Sequence, residues 1–170
     1  RLKKSNYFWL EKAYKRFNPN AEVTTQIIGF NDNKDQGQEG LEYALNNYLS
    51  GQDGKKKAIT DIGLNTIEDV EIIKPAKQGK DFYTSIDVRI QYIAHAALNE
   101  GVNSSQAKKA SAVVLDIKTG EVLAIVNNPS ADMSNLKLRL PKFYKNRALT
   151  DKFEPGSTFK PLIVATALEH

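Results

Sequence analysis

Residues 111–126 read Ser-Ala-Val-Val-Leu-Asp-Ile-Lys-Thr-Gly-Glu-Val-Leu-Ala-Ile-Val, and this stretch gives the clearest indication of the fold. Two runs rich in β-branched residues flank a short turn that contains Gly120, which is the pattern of a β-hairpin. Both runs are almost continuously apolar, so we expect the sheet to be covered on both faces.

The sequence predicts helices and one more strand around this hairpin. Residues 82–86 favour a strand, and Asp87 is placed to cap a helix that ends at Gly101. The apolar face of that helix would consist of Ile90, Ile93, Ala94, Ala97 and Leu98. Residues 127–150 are polar and basic and are expected to form a loop.

The first half of the chain predicts shorter elements. We expect an amphipathic helix over residues 5–17, a strand over 23–30, a loop over 31–37, and a helix over 41–49 followed by Gly51 as a C′ glycine. Residues 52–66 suit a hairpin or a long loop, and 70–73 suit a strand. Residues 74–80 combine Pro, Gly and charge without an apolar pattern, so they are the best candidate for a domain junction. The predicted organisation is α+β, with one module at 1–78 and a second at 79–170 that contains an antiparallel sheet flanked by helices.

Composition excludes several classes of protein. The 170 residues are 41% hydrophobic and 26% charged, which is typical of a globular protein. The net charge of +4 is too small to indicate nucleic acid by itself. Without cysteine, a disulfide or a thiolate metal site is impossible. The sequence also has no apolar run of the roughly 20 residues that a membrane-spanning helix needs. Because a strongly apolar stretch ends abruptly at the C-terminus, we expect the chain to be truncated.

One stretch carries a convincing catalytic pattern. Residues 154–161 read Glu-Pro-Gly-Ser-Thr-Phe-Lys-Pro, with Ser157 and Lys160 three positions apart. On a helix this spacing stacks two side chains one turn apart on the same face. A serine becomes a nucleophile when a base takes its proton, and a lysine amine is such a base only when desolvation or nearby positive charge lowers its pKa. Residues 162–168 have no polar face, which predicts a buried helix that would desolvate the pair.

Proline at position 161 limits where this helix can start. Because proline is tolerated only in the first turn, the helix is expected to begin at about Ser157 or Thr158. The hydroxyl would then lie at the positive end of the helix dipole, and the Ser157 N–H would be free to donate to a substrate oxyanion.

The bare Ser-x-x-Lys spacing is a weak signal. It occurs three times, at Ser105, Ser134 and Ser157, and only the third has a Pro-Gly turn before it and an apolar stretch after it. On spacing and context alone, a helix N-cap at Ser157 and a surface lysine at Lys160 are about as plausible as a catalytic pair.

A longer string is more specific. Residues 146–161 combine Asn-Arg-Ala, Asp151 and Phe-Glu-Pro-Gly-Ser-Thr-Phe-Lys-Pro, and they resemble the active-site segment of class B penicillin-binding proteins. Three further regions resemble that family in the same order: 19–30, which ends in Ile-Gly-Phe, then 37–51, and then 85–91 together with 112–124. The group that the chain resembles most is the division-specific, septal transpeptidases.

This resemblance implies a pedestal (dimerisation-type) module followed by an incomplete transpeptidase domain. It implies a peptidoglycan D,D-transpeptidase in which Ser157 is the nucleophile and Lys160 the general base, with β-lactams acylating the same serine. The family completes its site with a Ser-x-Asn motif and a Lys-Thr-Gly strand after the serine. Because neither follows Ser157 here, we expect the fragment alone to be inactive, and we interpret Lys118-Thr119-Gly120 as a coincidental turn.

The resemblance also implies where the protein works and with what. We expect the periplasmic face of the bacterial inner membrane, with an anchor upstream of this chain. The expected partners are peptidoglycan stem peptides, lipid-linked precursors, β-lactams and membrane proteins of the divisome, with no nucleic acid, cofactor or metal.

Other functions stay open. The first 75 residues carry no catalytic pattern, so the chain could instead be a non-catalytic pedestal that docks to division proteins. A β-lactam sensor or β-lactamase shares the serine–lysine pair, but the pedestal-like first half argues against it.

Several other side chains suit structural roles better than functional ones. His95 is expected to be structural or exposed, because no second histidine or carboxylate cluster suggests a metal. Lysine runs at 55–57 and 74–80 are interpreted as solvated faces, and the aromatic patch at 7–9 as helix packing. For Arg147 and Glu154, support of the active site and a structural salt bridge are equally open.

Overall fold

The structure is a computed structural model that describes residues 17–60 and 66–169; at positions 58, 60 and 66–70 it describes the backbone alone. The helix expected at 5–17 and the aromatic patch at 7–9 therefore lie essentially outside the described residues. In chain order the elements are α1 (Ala21–Ile28), α2 (Gly40–Ala44), α3 (Asn46–Leu49), β1 (Lys55–Thr60), β2 (Thr66–Lys74), α4 (Val88–Ser105), β3 (Ala110–Leu115), β4 (Val122–Asn128), α5 (Pro141–Tyr144), α6 (Arg147–Thr150) and α7 (Lys160–Glu169). Two 3₁₀ turns, Leu136–Leu138 and Gly156–Phe159, complete the list.

The strands form two antiparallel hairpins, so the predicted α+β class is confirmed. Strands β3 and β4 pair with Ala112 opposite Val126 and Val114 opposite Ala124. Strands β1 and β2 pair with Lys57 opposite Glu71, so the range 52–66 supplies the first strand of a hairpin, and the strand predicted at 70–73 belongs to the second. The region expected to be a loop at 127–150 contains the short helices α5 and α6 and one 3₁₀ turn.

Helix α4 starts where the sequence predicts and ends later. Asp87 is its N-cap, and the carboxylate accepts from the N–H groups of Arg89 and Ile90. The predicted end at Gly101 is wrong, because the helix continues to Ser105. Val102, one residue further on, is buried, and Gln106 ends the helix in the left-handed conformation at φ 53°. Burial of the next apolar residue therefore outweighs the cost of a glycine inside the helix.

The strand predicted over 23–30 is wrong, because these residues form most of α1. Thr24, Thr25 and Gln26 are buried, and the Thr25 hydroxyl donates to the carbonyl of Ala21 inside the helix. The following Gly29 has φ +87°, and a Cβ there would lie 1.7 Å from the Glu39 carbonyl oxygen. Tertiary packing thus overrides the β-propensity of the Val-Thr-Thr and Ile-Ile pairs.

Three further expectations are corrected. Residues 82–86 are not a strand; within them the Ser85 hydroxyl donates to the Val122 carbonyl of β4, and the N–H of the next residue, Asp87, donates to the Leu123 carbonyl. The helix expected over 41–49 is interrupted at Leu45, which has φ −109°. Gly51 is not a left-handed C′ residue; it lies against the backbone of Lys77, where a Cβ would be 2.8 Å from the carbonyl oxygen.

The interior is organised by polar side chains. Gln91 of α4 is 1% exposed; its amide donates to the Val23 and Ile125 carbonyls at 2.7 Å each and its Oε1 accepts from the Ile125 N–H at 2.9 Å. Gln26 of α1 donates to the carbonyls of Pro129 at 2.9 Å and Phe143 at 2.8 Å. A buried carbonyl that lacks a donor is costly, so these two side chains fix α1 against β4 and the segment beyond it.

Among the described residues the two faces of the β3–β4 hairpin are covered unequally, which corrects the expectation of a sheet covered fully on both faces. Helix α4 packs on β4, where Ala124 and Val126 are buried. Along β3, half-buried and exposed residues alternate, and Val113 and Leu115 are 46% and 54% exposed. Within the described residues, no helix combines the length and the apolar character needed to cross a bilayer.

Candidate active site

The serine segment is reached through α6, which is held against the sheet by one asparagine. Asn127 of β4 is fully buried, and its Oδ1 accepts from the Ala148 N–H at 2.8 Å and from the Ser111 hydroxyl at 2.8 Å. Its amide donates to the side-chain oxygen of Asn146 at 3.1 Å. These bonds lock the first turn of α6 to both strands of the hairpin.

Asp151 follows α6 directly and forms salt bridges with three cationic side chains. Lys145 Nζ lies 2.8 Å from Oδ1, while Arg147 Nη1 and Lys109 Nζ lie 3.0 Å and 3.3 Å from Oδ2. Hydrogen bonds from Lys145 and Arg147 hold the pKa of the Asp151 carboxyl well below its ordinary range. Arg147 therefore forms a salt bridge with Asp151, and Glu154 is exposed.

Ser157 lies in the 3₁₀ turn of Gly156–Phe159. Gly156 precedes it at φ +55°, a conformation that glycine adopts without steric cost. The Lys160 N–H donates to the Ser157 carbonyl, so the two residues lie one turn apart. Side chains at i and i+3 of a 3₁₀ turn are nearly eclipsed, so this backbone directs both side chains to the same side of the chain.

The expected burial around the pair is not present. Helix α7 begins at Lys160 rather than at Ser157, with the 3₁₀ turn before it. Leu162, Ile163, Val164 and Leu168 are between 56% and 82% exposed, so the prediction of a buried helix is wrong for the described residues. The apolar character of α7 thus provides no cover over the lysine here, and both Ser157 and Lys160 face solvent.

The two other Ser-x-x-Lys pairs lie in ordinary local structure. Ser105 ends α4, and its hydroxyl donates to the Gly101 carbonyl at 2.6 Å. Ser134 donates to Asp132 in a turn. Lys118-Thr119-Gly120 forms the β3–β4 turn, where Asp116 Oδ1 accepts from the N–H groups of Lys118 and Thr119 at 2.7 and 3.1 Å. The interpretation of that triplet as a turn is confirmed.

His95 belongs to a polar cluster between α1 and α4. Its Nε2 lies 2.9 Å from the Ser130 hydroxyl, which donates to Glu22 Oε1 at 2.7 Å. The side chain of His95 is 13% exposed, which supports the structural alternative over the exposed one. Among the residues whose side chains the structure describes, no three His, Cys, Asp or Glu residues are grouped to hold a metal.

Sequence reasoning missed three organising residues, namely Gln26, Gln91 and Asp151. Asp151 was part of the motif, and the signal for its role was its position as an acid within the basic run from 137 to 152. For the two glutamines the available signal was weak: each is a polar residue next to one isoleucine, Ile27 after Gln26 and Ile90 before Gln91.

Comparison with known proteins agrees with this architecture. Residues 110–170 match the model of the penicillin binding protein transpeptidase domain. The chain is 38% identical over 168 residues to the peptidoglycan D,D-transpeptidase FtsI of Buchnera aphidicola, which covers 99% of this chain and 29% of that protein. It is 39% identical over 160 residues to FtsI of Escherichia coli, covering 94% of this chain and 27% of that protein.

A solved structure shares the fold. The apo form of penicillin binding protein 3 from Mycobacterium tuberculosis superposes with a TM-score of 0.75 at 30% identity, covering 92% of this chain and 32% of that one.

The sheet, the helix that packs on it and the serine turn after α6 are thus those of a transpeptidase-type domain. The chain belongs to the class B penicillin-binding proteins. It spans between a quarter and a third of the length of the FtsI relatives that it matches.

Proposed function

We propose that the protein is a peptidoglycan D,D-transpeptidase in which Ser157 is the nucleophile and Lys160 the general base. The observation that carries this proposal is the exposed serine turn inside the matched transpeptidase segment, with Lys160 bonded through its N–H to the Ser157 carbonyl. The names of the FtsI relatives support the same reaction.

The proposed reaction is an acyl transfer. Lys160 takes the hydroxyl proton while Ser157 Oγ attacks the carbonyl of a D-Ala-D-Ala stem peptide. The C–N bond then breaks, D-Ala leaves as the protonated amine, and an ester to Ser157 remains. An amine of a second strand attacks that ester, so the cross-link forms and the serine is regenerated. A β-lactam would form the same ester by opening its ring.

The backbone at the turn suits this chemistry. Ser157 is the second residue of the 3₁₀ turn, where amides have no acceptor one turn earlier. Such an N–H can donate to the oxyanion that develops during attack.

We also propose the setting that follows from this reaction. The substrates are stem peptides and lipid-linked precursors, the site is the periplasmic face of the inner membrane with an anchor upstream, and the process is septal wall synthesis with divisome proteins as partners. The similarity to FtsI proteins supports it. Within this scheme residues 1–78 are the pedestal and 79–170 belong to the transpeptidase domain.

An alternative function is a non-catalytic pedestal for division proteins. The β1–β2 hairpin favours it, because Ile59, Ile72 and Ile73 are each more than half exposed there. Exposed apolar residues of this kind suit protein contacts.

Acylation by a fluorescent penicillin separates the two functions. We expect the full-length gene product to be labelled and Ser157→Ala to abolish labelling, with Ser134→Ala as the matched control that keeps it. The 170-residue chain should stay unlabelled, since no Ser-x-Asn or Lys-Thr-Gly follows the serine in it. Labelling that persists in Ser157→Ala refutes the assignment, and a full-length protein that is never labelled favours the pedestal.

A further inference from the structure

Asp151 lies six residues before Ser157 and connects this part of the chain to earlier elements. Its carboxylate binds cations from three places: Lys109 before β3, Lys145 between α5 and α6, and Arg147 within α6. The side chain of Asp151 is 24% exposed and that of Arg147 15%, so this pair is only partly solvated. Hydrogen bonds between ionised partners are stronger than neutral ones, and two of these three are 3.0 Å or shorter.

The backbone at Asp151 is fixed as well. Its N–H donates to the Arg147 carbonyl at 2.9 Å and closes α6. Helix α6 is itself bonded to the buried Asn127 of β4 through Ala148 and Asn146. Asp151 therefore connects the serine segment to the sheet through both its backbone and its side chain.

Beyond Asp151 the bonding is local. Residues 152–160 are all exposed. The hydrogen bonds that the structure gives for 152–169 join residues of that segment to each other, as from the Thr158 N–H and hydroxyl to the Pro155 carbonyl and from the Thr166 hydroxyl to the Leu162 carbonyl. Among the described residues, Asp151 is thus the last one before Ser157 with a hydrogen bond or ion pair to an earlier element.

We propose that Asp151 is a positioning residue for the transpeptidase reaction: its three cations hold the start of the 152–156 segment, and thereby the Ser157 turn, in the reactive position. This inference rests on the proposed function of Ser157. Lys109, which directly precedes β3 and lies 42 positions earlier in the chain, also binds Asp151, so the position of the turn depends on the hairpin as well as on α6. A shift of about 1 Å in a reacting group can slow a reaction by about a hundredfold.

The test measures acylation of the full-length protein by a fluorescent penicillin, with the saturable acylation rate separated from the affinity of the first complex. We expect Asp151→Asn to lower the saturable rate about tenfold per folded molecule, with affinity little changed. Asp151→Glu, which keeps the charge, should recover part of that rate. Asp116→Asn is the matched control, because Asp116 also accepts local N–H groups but lies in the β3–β4 turn.

The outcomes distinguish failure of the positioning role of Asp151 from failure of the proposed function of Ser157. A decrease of less than fivefold in Asp151→Asn, or one equalled by Asp116→Asn, overturns the positioning role while leaving the nucleophile assigned. Labelling that survives Ser157→Ala refutes the proposed function instead. If Asp151→Asn does not fold, Lys145→Gln is compared with Lys142→Gln, whose lysine lies over the Phe143 ring rather than on Asp151. Equal rates in that pair overturn the proposal, and a slower Lys145→Gln supports it.

Discussion

Asp87 shows how much one carboxylate does at the start of a helix. Its Oδ1 accepts from the N–H of Arg89 at 2.8 Å and of Ile90 at 3.3 Å, and the Arg89 guanidinium lies 2.9 Å from Oδ2. Each bond favours the ionised form, and so does the positive end of the helix. The hydrogen bond from the Arg89 side chain is the largest cause, followed by that from its N–H, and together they lower the pKa of Asp87 to about 2.

We expect a carboxyl titration by NMR to give a pKa of about 2 for Asp87. In the unfolded chain an aspartate has a pKa of about 3.9. Because the folded value is the lower one, the contribution of Asp87 to stability is fully present above pH of about 4 and is lost as the pH falls towards 2. Asp87→Asn should therefore make the free energy of unfolding less dependent on pH in that range, whereas Asp53→Asn, at an exposed site outside any helix, serves as the control. Titration of Asp87 near 3.9 would contradict this account.

At the scale of the element, local signals predicted some pieces and not others. The β3–β4 hairpin and the start of α4 were predictable because Gly120 and Asp87 act on their immediate neighbours. Helix α1 was not, because its β-branched residues favour a strand until buried partners are known. A helical signal was nevertheless present, because positions 20, 24, 27 and 28 repeat at i, i+4, i+7 and i+8, which places them on one face of a helix. The residues at these positions, Asn20, Thr24, Ile27 and Ile28, all line one cavity of about 310 Å³.

Gln91 is the side chain that joins three elements, so its replacement tests their packing. We expect Gln91→Leu to lower the free energy of unfolding by about 2–3 kcal/mol, because the Ile125 N–H and the carbonyls of Val23 and Ile125 would lose their buried partner. Chemical denaturation followed by circular dichroism measures the change. Gln78→Leu makes the same substitution at an exposed position and should cost under about 0.5 kcal/mol. Equal losses in the two variants would show that these bonds do not hold α1, α4 and β4 together.

At the scale of the whole molecule, the sequence predicted which residues form the candidate site, but it did not predict which other parts of the chain lie around them. The Pro-Gly turn and the spacing of Ser157 and Lys160 are local, so the motif located them. The three cations of Asp151 come from positions 109, 145 and 147, and only the last two are near in sequence. Nor could composition tell that α7, apolar on all sides, is exposed among the described residues, since burial depends on what packs against a helix.

The two hairpins differ in what supports them, and this predicts a difference in their opening. Strands β3 and β4 pack against α4, α1 and α6, whereas β1 and β2, in the part of the chain that the structure describes, pack chiefly on each other, with a bridge from Gln52 to Lys77 at their base. An isolated two-stranded hairpin is marginally stable in water. In hydrogen exchange under native conditions we therefore expect the amides of β1 and β2 to exchange at least about tenfold faster than those of β4, because sub-global opening of the first hairpin breaks few contacts elsewhere.

Val126→Ala in β4 should accelerate exchange of β3, β4 and α4 together, while Ile72→Ala at an exposed site of β2 should affect the first hairpin alone. Equal protection of the two hairpins would mean that β1 and β2 are stabilised by contacts beyond their mutual pairing.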